Sequence, residues 1–266
     1  MFDSIAGDYD SLNHILSLDV DKIWRKKALK QIVDAPAPAR VLDLACGTGD
    51  FSIAIAKALS RSHKRVGTPI EAHVKAPAKV PVEAQVTSTG FVTGDSGRSD
   101  LMTKGHVTGV DLSEGMLAVM REKVAKAGLT EMISIEEGDG ENLRFPDNTF
   151  DRVTIAFGIR NFENRAKGLR EMLRVLKPGG RLVILELSRP ENKVIRWFYD
   201  LYFLHILPKV GGKVSGDKAA YAYLPASVAA FPGKKAFMAT MREAGFRAVT
   251  HKAFTLGICR MYTGEK

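Results

Sequence analysis

The stretch Arg40-Val41-Leu42-Asp43-Leu44-Ala45-Cys46-Gly47-Thr48-Gly49-Asp50 decides the fold. Val41, Leu42 and Leu44 make a short apolar run of strand character, with one acidic residue, Asp43, embedded in it. Gly47-Thr48-Gly49 follows at once, ahead of a helical run over 51–59. A strand that ends in two near-adjacent glycines can turn sharply and lets a ligand approach where a Cβ would clash. The dinucleotide fingerprint G-x-G-x-x-G needs a third small residue three positions after the second glycine. Here Asp50, Phe51 and Ser52 follow Gly49, so only Ser52 stands in, a poor match. A generic tight turn competes with a ligand loop, and the rest of the chain decides between them.

Outward from this loop, strand-like and helical runs alternate. Strands are predicted over 40–45, 106–111, 132–137, 152–157, 181–187, 246–253 and 256–262, and helices over 51–59, 114–127 and 165–176. Regular alternation of this kind gives a parallel sheet with helices on both faces. Only Phe254 and Thr255 separate the last two strands, too few for a crossover, so these pair antiparallel at one edge. Gly128 and Pro178-Gly179-Gly180 mark helix stops. Residues 19–33 read as a further helix, which makes 1–34 an N-terminal cap outside the sheet. Residues 60–105 break the rhythm with Pro69, Pro77, Pro81 and several glycines, where a compact α/β unit needs about 2–6 connecting residues. They read as a surface insertion carrying a small hairpin around 80–92, with a lid or partner arm as the functional alternative. One domain over 1–266 accounts for the whole, with 190–232 a helical segment on the substrate side.

Asp111 closes the second strand, where ligands of open α/β sheets bind, and an acidic residue there is placed to accept from two ribose hydroxyls. Ser113 reads as a helix N-cap, so the bland alternative makes Asp111 its capping neighbour. The third strand ends in Gly138-Asp139-Gly140-Glu141, and Asp139 sits where an adenine amino group would be read, unless this is a plain surface turn. With Asp43, Gly47 and Gly49, these positions resemble the S-adenosylmethionine (SAM) site of class I methyltransferases. The resemblance implies an α/β, Rossmann-like class I SAM-dependent methyltransferase. Its expected form is a seven-stranded, mostly parallel sheet with an antiparallel last strand and an N-terminal helical cap.

The fourth strand runs into Ala156-Phe157-Gly158-Ile159-Arg160-Asn161. Methyltransferases that act on exocyclic amino groups of bases typically carry an Asn/Asp-Pro-Pro-aromatic signature at this point. Its absence leaves carbon or oxygen as the acceptor. Arg160 and Asn161 form a donor fork suited to a phenolate-like oxygen, with pairing of Arg160 to a surface carboxylate as the alternative.

Five motifs make the resemblance specific: Met1-Phe2-Asp3-Ser4-Ile5-Ala6 with Tyr9-Asp10, the loop 41–50, Phe145-Pro146-Asp147-Asn148-Thr149-Phe150-Asp151, Phe157-Gly158-Ile159-Arg160-Asn161, and 174–182 around Lys177-Pro178-Gly179-Gly180. They resemble the UbiE/MenG family, the ubiquinone/menaquinone biosynthesis C-methyltransferases. The likeness extends through 199–211 and 221–227 and spares only 60–105. Phe-Gly-Ile-Arg-Asn with His205-Ile206-Leu207-Pro208 is the discriminating pair. Carried over, it implies SAM contacts at Thr48, Asp111 and the Asp139/Gly140 pair. The family often has Asn-Ala at that pair and Ser where Ala156 stands, so one contact near the methionine is expected to be missing. Members also tend to extend a little before Phe2, and usually have a short link in place of 60–105.

The chain has 266 residues, 45% of them apolar, and a net charge of +9. Such a surface favours anionic partners, lipid or nucleic acid, or plain solvation. Cys46 and Cys259 give neither a disulfide framework nor a metal-ligand spacing, so no metal is expected. No run nears the roughly 18 apolar residues of a membrane span, and the start reads as neither signal nor transit peptide. The expected location is cytoplasmic and peripheral to a membrane. Trp197, Phe198, Tyr199, Tyr202, Phe203, Leu204, Ile206 and Leu207, flanked by Lys193, Arg196 and Lys209, suit a prenyl tunnel or a helix at the headgroup layer. Core packing or a homodimer contact is the equal alternative.

The family resemblance, with these features beside it, implies SAM-dependent methylation of a ring carbon of a prenylated quinol, demethylmenaquinol to menaquinol. Arg160 with Asn161 is expected to steady the phenolate, and His205 and Tyr9 to handle protons or close the site. A 2-methoxy-6-polyprenyl-1,4-benzoquinol acceptor from ubiquinone biosynthesis is the rival. An RNA methyltransferase is disfavoured by the missing Pro-Pro-aromatic motif, and a SAM-binding accessory subunit by the intact Arg160 and Asn161.

Overall fold

The computed structural model describes residues 20–35, 38–66, 105–202 and 218–266. Among these, strands β1 (Arg40–Leu44), β2 (His106–Asp111), β3 (Ile133–Glu137), β4 (Phe150–Ala156), β5 (Leu176–Leu187), β6 (Arg247–Phe254) and β7 (Cys259–Glu265) form one sheet. Their order is β3-β2-β1-β4-β5-β7-β6. β1 to β5 pair in parallel, and β7 lies antiparallel between β5 and β6. The seven-stranded sheet with an antiparallel last strand is therefore as expected.

The helices are α1 (Val20–Ile32), α2 (Asp50–Val66), α3 (Glu114–Lys126), α4 (Arg165–Val175), α5 (Lys193–Leu201), α6 (Lys218–Ala230) and α7 (Lys234–Glu243). Alternating strand residues feed two cores. On one face Leu42, Leu44, Val153 and Ile155 pack with Leu169 and Met172 of α4 and Phe237 and Met241 of α7. On the other, Val41, Val107, Val183 and Leu185 pack with α1, α2 and α3. The α1 residues Trp24, Ala28 and Ile32 recur every fourth position and are buried there. α1 thus lies outside the sheet, as expected, and packs on one of its faces, while residues 1–19 lie outside the described residues.

Local chemistry sets the helix ends. Ser113 Oγ accepts from Met116 N–H at 3.2 Å, Asn164 Oδ1 from Lys167 N–H at 3.0 Å, and Asn192 Oδ1 from Val194 N–H at 2.9 Å. Three boundaries differ from the sequence reading. α2 continues to Val66 rather than ending near 59, so the insertion does not begin at 60; 67–104, with the hairpin expected near 80–92, lie outside the described residues. β5 starts at Leu176, because Leu176 pairs with Phe150 before Lys177–Gly180 bulge out and pairing resumes at Arg181 with Arg152. β7 starts at Cys259, because Thr255, Leu256 and Gly257 all take left-handed φ (45°, 56° and 93°) and turn the chain before it can pair. No described helix is long and apolar enough to cross a membrane.

Candidate active site

β1 and β4 adjoin at the point where strand order reverses, and their carboxyl ends open a crevice, the usual ligand position in such sheets. Both strands end in a left-handed non-glycine residue, Ala45 (φ 49°) and Phe157 (φ 63°). Such residues are uncommon and persist where surroundings over-determine them. Phe157 N–H donates to Leu185 O at 2.7 Å, and its ring lies 6.2 Å from Trp24 and 5.7 Å from the Arg25 guanidinium. Arg25, Asp43, Ala45, Cys46, Asp50 and Phe157 are among the walls of a cleft with about 410 Å3 of empty space, its open mouth included.

The loop after β1 forms as the glycines require. Gly47 and Gly49 have φ of 55° and 84°, and a Cβ on Gly49 would fall 2.4 Å from Met120 Cγ. Asp111 holds this loop: its Oδ2 accepts from Gly47 N–H at 2.8 Å, its Oδ1 from Ser113 N–H at 2.9 Å. The capping-neighbour role is therefore present, and the same carboxylate stands at the end of β2 where a ribose would lie. Thr48 is buried beside Lys123, whose Nζ is 3.3 Å from Thr48 Oγ1 and pairs with Asp50.

Asp43 is 1% exposed and accepts from Ser52 Oγ at 2.6 Å. Burial pushes its carboxyl up to about 7, against the pull of the Ser52 hydroxyl and Arg25, while Asp111 adds to the rise. The same burial, with Asp43 and Asp111 nearby, pushes the Cys46 thiol well up, so it is no thiolate nucleophile. Asp139 lies exposed after β3 and bonds Glu141 N–H at 2.8 Å, closing a turn. Gly140 lies so near Phe162 that a Cβ would fall 2.5 Å from its ring. These features fit SAM: a glycine cradle, and acidic groups for its hydroxyls and positive charge.

Beyond the cleft, Ile159–Asn161 form a 3-10 turn. Arg160 is 8% exposed and Glu186, on β5, is 0% exposed. Arg160 Nη1 donates to Glu186 Oε1 at 2.9 Å and Arg160 N–H to Oε2 at 3.1 Å. Its Nη1 also reaches Phe157 O, and Nε donates to Ser227 Oγ at 3.3 Å. Arg160 thus pairs with a buried carboxylate. Asn161 is half-buried, and its Oδ1 accepts from Tyr223 OH at 2.9 Å. Tyr9 and His205 lie outside the described residues. The sequence reading brought Asp43, Gly47, Thr48, Gly49, Asp111, Asp139 and Gly140 to one edge and missed Arg25, Glu186, Tyr223 and Ser227. Glu186 carried a visible signal, a lone acid inside Leu182-Val183-Ile184-Leu185-Glu186-Leu187, the pattern that marked Asp43.

Fold and site together define a class I SAM-dependent methyltransferase. A SAM-dependent methyltransferase from Aquifex aeolicus shares the fold at a TM-score of 0.55 and 19% identity, over 90% of this chain and 88% of that one. The chain matches the ubiE/COQ5 methyltransferase family over residues 1–266 and belongs to it. It is 42% identical, over its whole length and 87% of the relative, to the ubiquinone/menaquinone biosynthesis C-methyltransferase UbiE of Geobacter sulfurreducens. It is 39% identical, over its whole length and 91% of the relative, to a demethylmenaquinone methyltransferase of Bacteroides fragilis.

Proposed function

We propose that this chain transfers the methyl group of SAM to a ring carbon of a prenylated quinol, converting demethylmenaquinol to menaquinol. The observation that carries this is the whole-length identity to a demethylmenaquinone methyltransferase. SAM supplies an electrophilic methyl group on a sulfonium. Loss of a hydroxyl proton makes the quinol carbon ortho to that oxygen nucleophilic, so the chain must align, exclude water and steady a phenolate. Asp111 holds the ribose and keeps Gly47 in register, and Asp43, under the cleft, becomes the negative charge when the SAM cation draws it into its ionised form. The Phe157, Trp24 and Arg25 stack closes one wall.

Glu186 binds both the backbone and the guanidinium of Arg160, so Arg160 sets the geometry of the 159–161 turn, and Asn161 presents a donor to the quinol oxygen. The benzoquinol of ubiquinone biosynthesis is the second reading, favoured by the name of the Geobacter relative.

The acceptor is lipid-soluble, and α5 supports docking at a bilayer: Val194, Trp197, Phe198 and Leu201 form one exposed apolar stripe beside Lys193. A homodimer through the same stripe is its rival. Incubation with labelled SAM and each reduced quinone decides the substrate. Label in menaquinone supports the proposal, and label only in the benzoquinone product overturns it.

A further inference from the structure

The stretch 221–227 belongs to the family likeness and lies on α6. α6 lays one face on the turn that follows β4. Tyr223 and Ser227, one helical turn apart, reach Asn161 and Arg160 respectively, at 2.9 and 3.3 Å. Ser227 is itself tied down, its hydroxyl donating to Leu224 O at 2.9 Å. The backbone of Asn161 is fixed by its N–H donating to Gly158 O at 3.0 Å. Its side chain is held by the Tyr223 hydroxyl. An asparagine amide has an acceptor end and a donor end, and a neighbour must select which one faces outward.

The geometry points to Tyr223 as a positioning residue for methyl transfer: by donating to Asn161 Oδ1, it turns the Nδ2–H2 end toward the oxygen of the aromatic acceptor. This rests on the proposed role of Asn161 at the quinol. A quinol oxygen that is losing its proton accepts hydrogen bonds. An Asn161 with Oδ1 outward would set lone pair against lone pair, whereas Nδ2 outward meets the developing charge with a donor. Donation from the phenol also polarises the amide and makes its N–H groups better donors. Tyr223 makes this contact from an element 62 residues further along the chain, so its effect is separable from that of the SAM loop.

Tyr223→Phe keeps the ring and removes only the hydroxyl. One orienting hydrogen bond is worth roughly a fivefold to tenfold effect. Tyr223→Phe should lower kcat by about that factor, with SAM affinity by calorimetry unchanged and KM for the quinol moved less than kcat. Asn161→Ala and the double variant complete a cycle. Positioning through Asn161 requires that Tyr223→Phe cost nothing further in the Asn161→Ala background. Normal kcat in Tyr223→Phe beside a defective Asn161→Ala overturns the inference and leaves the Asn161 role standing. Effects that multiply in the double variant overturn it too, because Tyr223 then acts elsewhere. Normal turnover in Asn161→Ala removes the Asn161 role and this inference with it.

Discussion

Ser52 donates its hydroxyl to Asp43 across 2.6 Å, at a place where both side chains are shut off from solvent. That single bond does not offset burial, and the Asp43 carboxyl stands at about 7 against an ordinary 3.8. The native state therefore holds the Asp43 proton more tightly than the unfolded chain. The stability this contributes is complete below about 3.8 and is lost as pH rises through about 7. Asp43→Asn should then raise the thermal midpoint of the SAM-free protein by several degrees at pH 8 and by far less at pH 5. Equal shifts at both pH values would refute a raised Asp43.

The same carboxyl couples to the ligand. A cation beside Asp43 favours its ionised form, so SAM binding near pH 7 should expel a proton. The calorimetric heat should then vary with the ionisation enthalpy of the buffer, and the variation should vanish in Asp43→Asn. Buffer-independent heats in the parent protein would contradict the coupling.

Asp111 holds the loop, and in the proposed site it takes the ribose as well. Asp111→Ala releases Gly47 N–H and Ser113 N–H as well as the ribose hydroxyls. Each charge-assisted bond is worth about 1.5–3 kcal/mol. SAM affinity should fall at least about tenfold while the circular dichroism spectrum is kept. Unchanged affinity would remove Asp111 from the site.

Arg160 and Glu186 are a buried pair, and breaking one side strands the other. Glu186→Ala should cost about 3–5 kcal/mol of stability, and Arg160→Met with Glu186→Leu should recover much of it without recovering turnover. Arg160→Lys should lower turnover with SAM affinity kept, because one amine cannot meet Glu186, Phe157 O and Ser227 together. A double variant with normal turnover would make the pair purely structural.

What the sequence made legible follows from the range of the forces involved. The loop 40–50 and the ends of β2 and β3 were readable because strand period, embedded acids and glycines are local signals. The partners of Arg160 and Asn161 were not, since Glu186, Tyr223 and Ser227 lie 26, 62 and 67 residues away. Only the fold brings them together. Boundaries failed where the backbone was special: the left-handed run at 255–257, and the bulge that lets β5 begin at Leu176. The cleft wall from α1 was missed because Arg25 reads as one charge on an amphipathic helix until Phe157 and Asp50 are placed beside it.

On α5 Trp197 and Phe198 are 61% and 60% exposed, their rings edge to face at 4.8 Å, while Tyr199 on the other side is buried. Val194 and Leu201 extend the same stripe. Side chains of this size cost free energy in water unless something covers them. On the proposed reading a bilayer supplies the cover and also carries the quinol. The net charge of +9 adds attraction to anionic headgroups that salt screens. Binding should therefore be tighter on vesicles containing phosphatidylglycerol than on phosphatidylcholine alone, and should weaken as salt rises. Trp197→Ala with Phe198→Ala should loosen both, and should lower activity on a long-chain quinol well beyond its effect on a short-chain, water-soluble analogue. Equal losses on the two substrates would sink the membrane role. A shift from dimer to monomer with vesicle binding intact would make a second copy of the chain the occupant of this face.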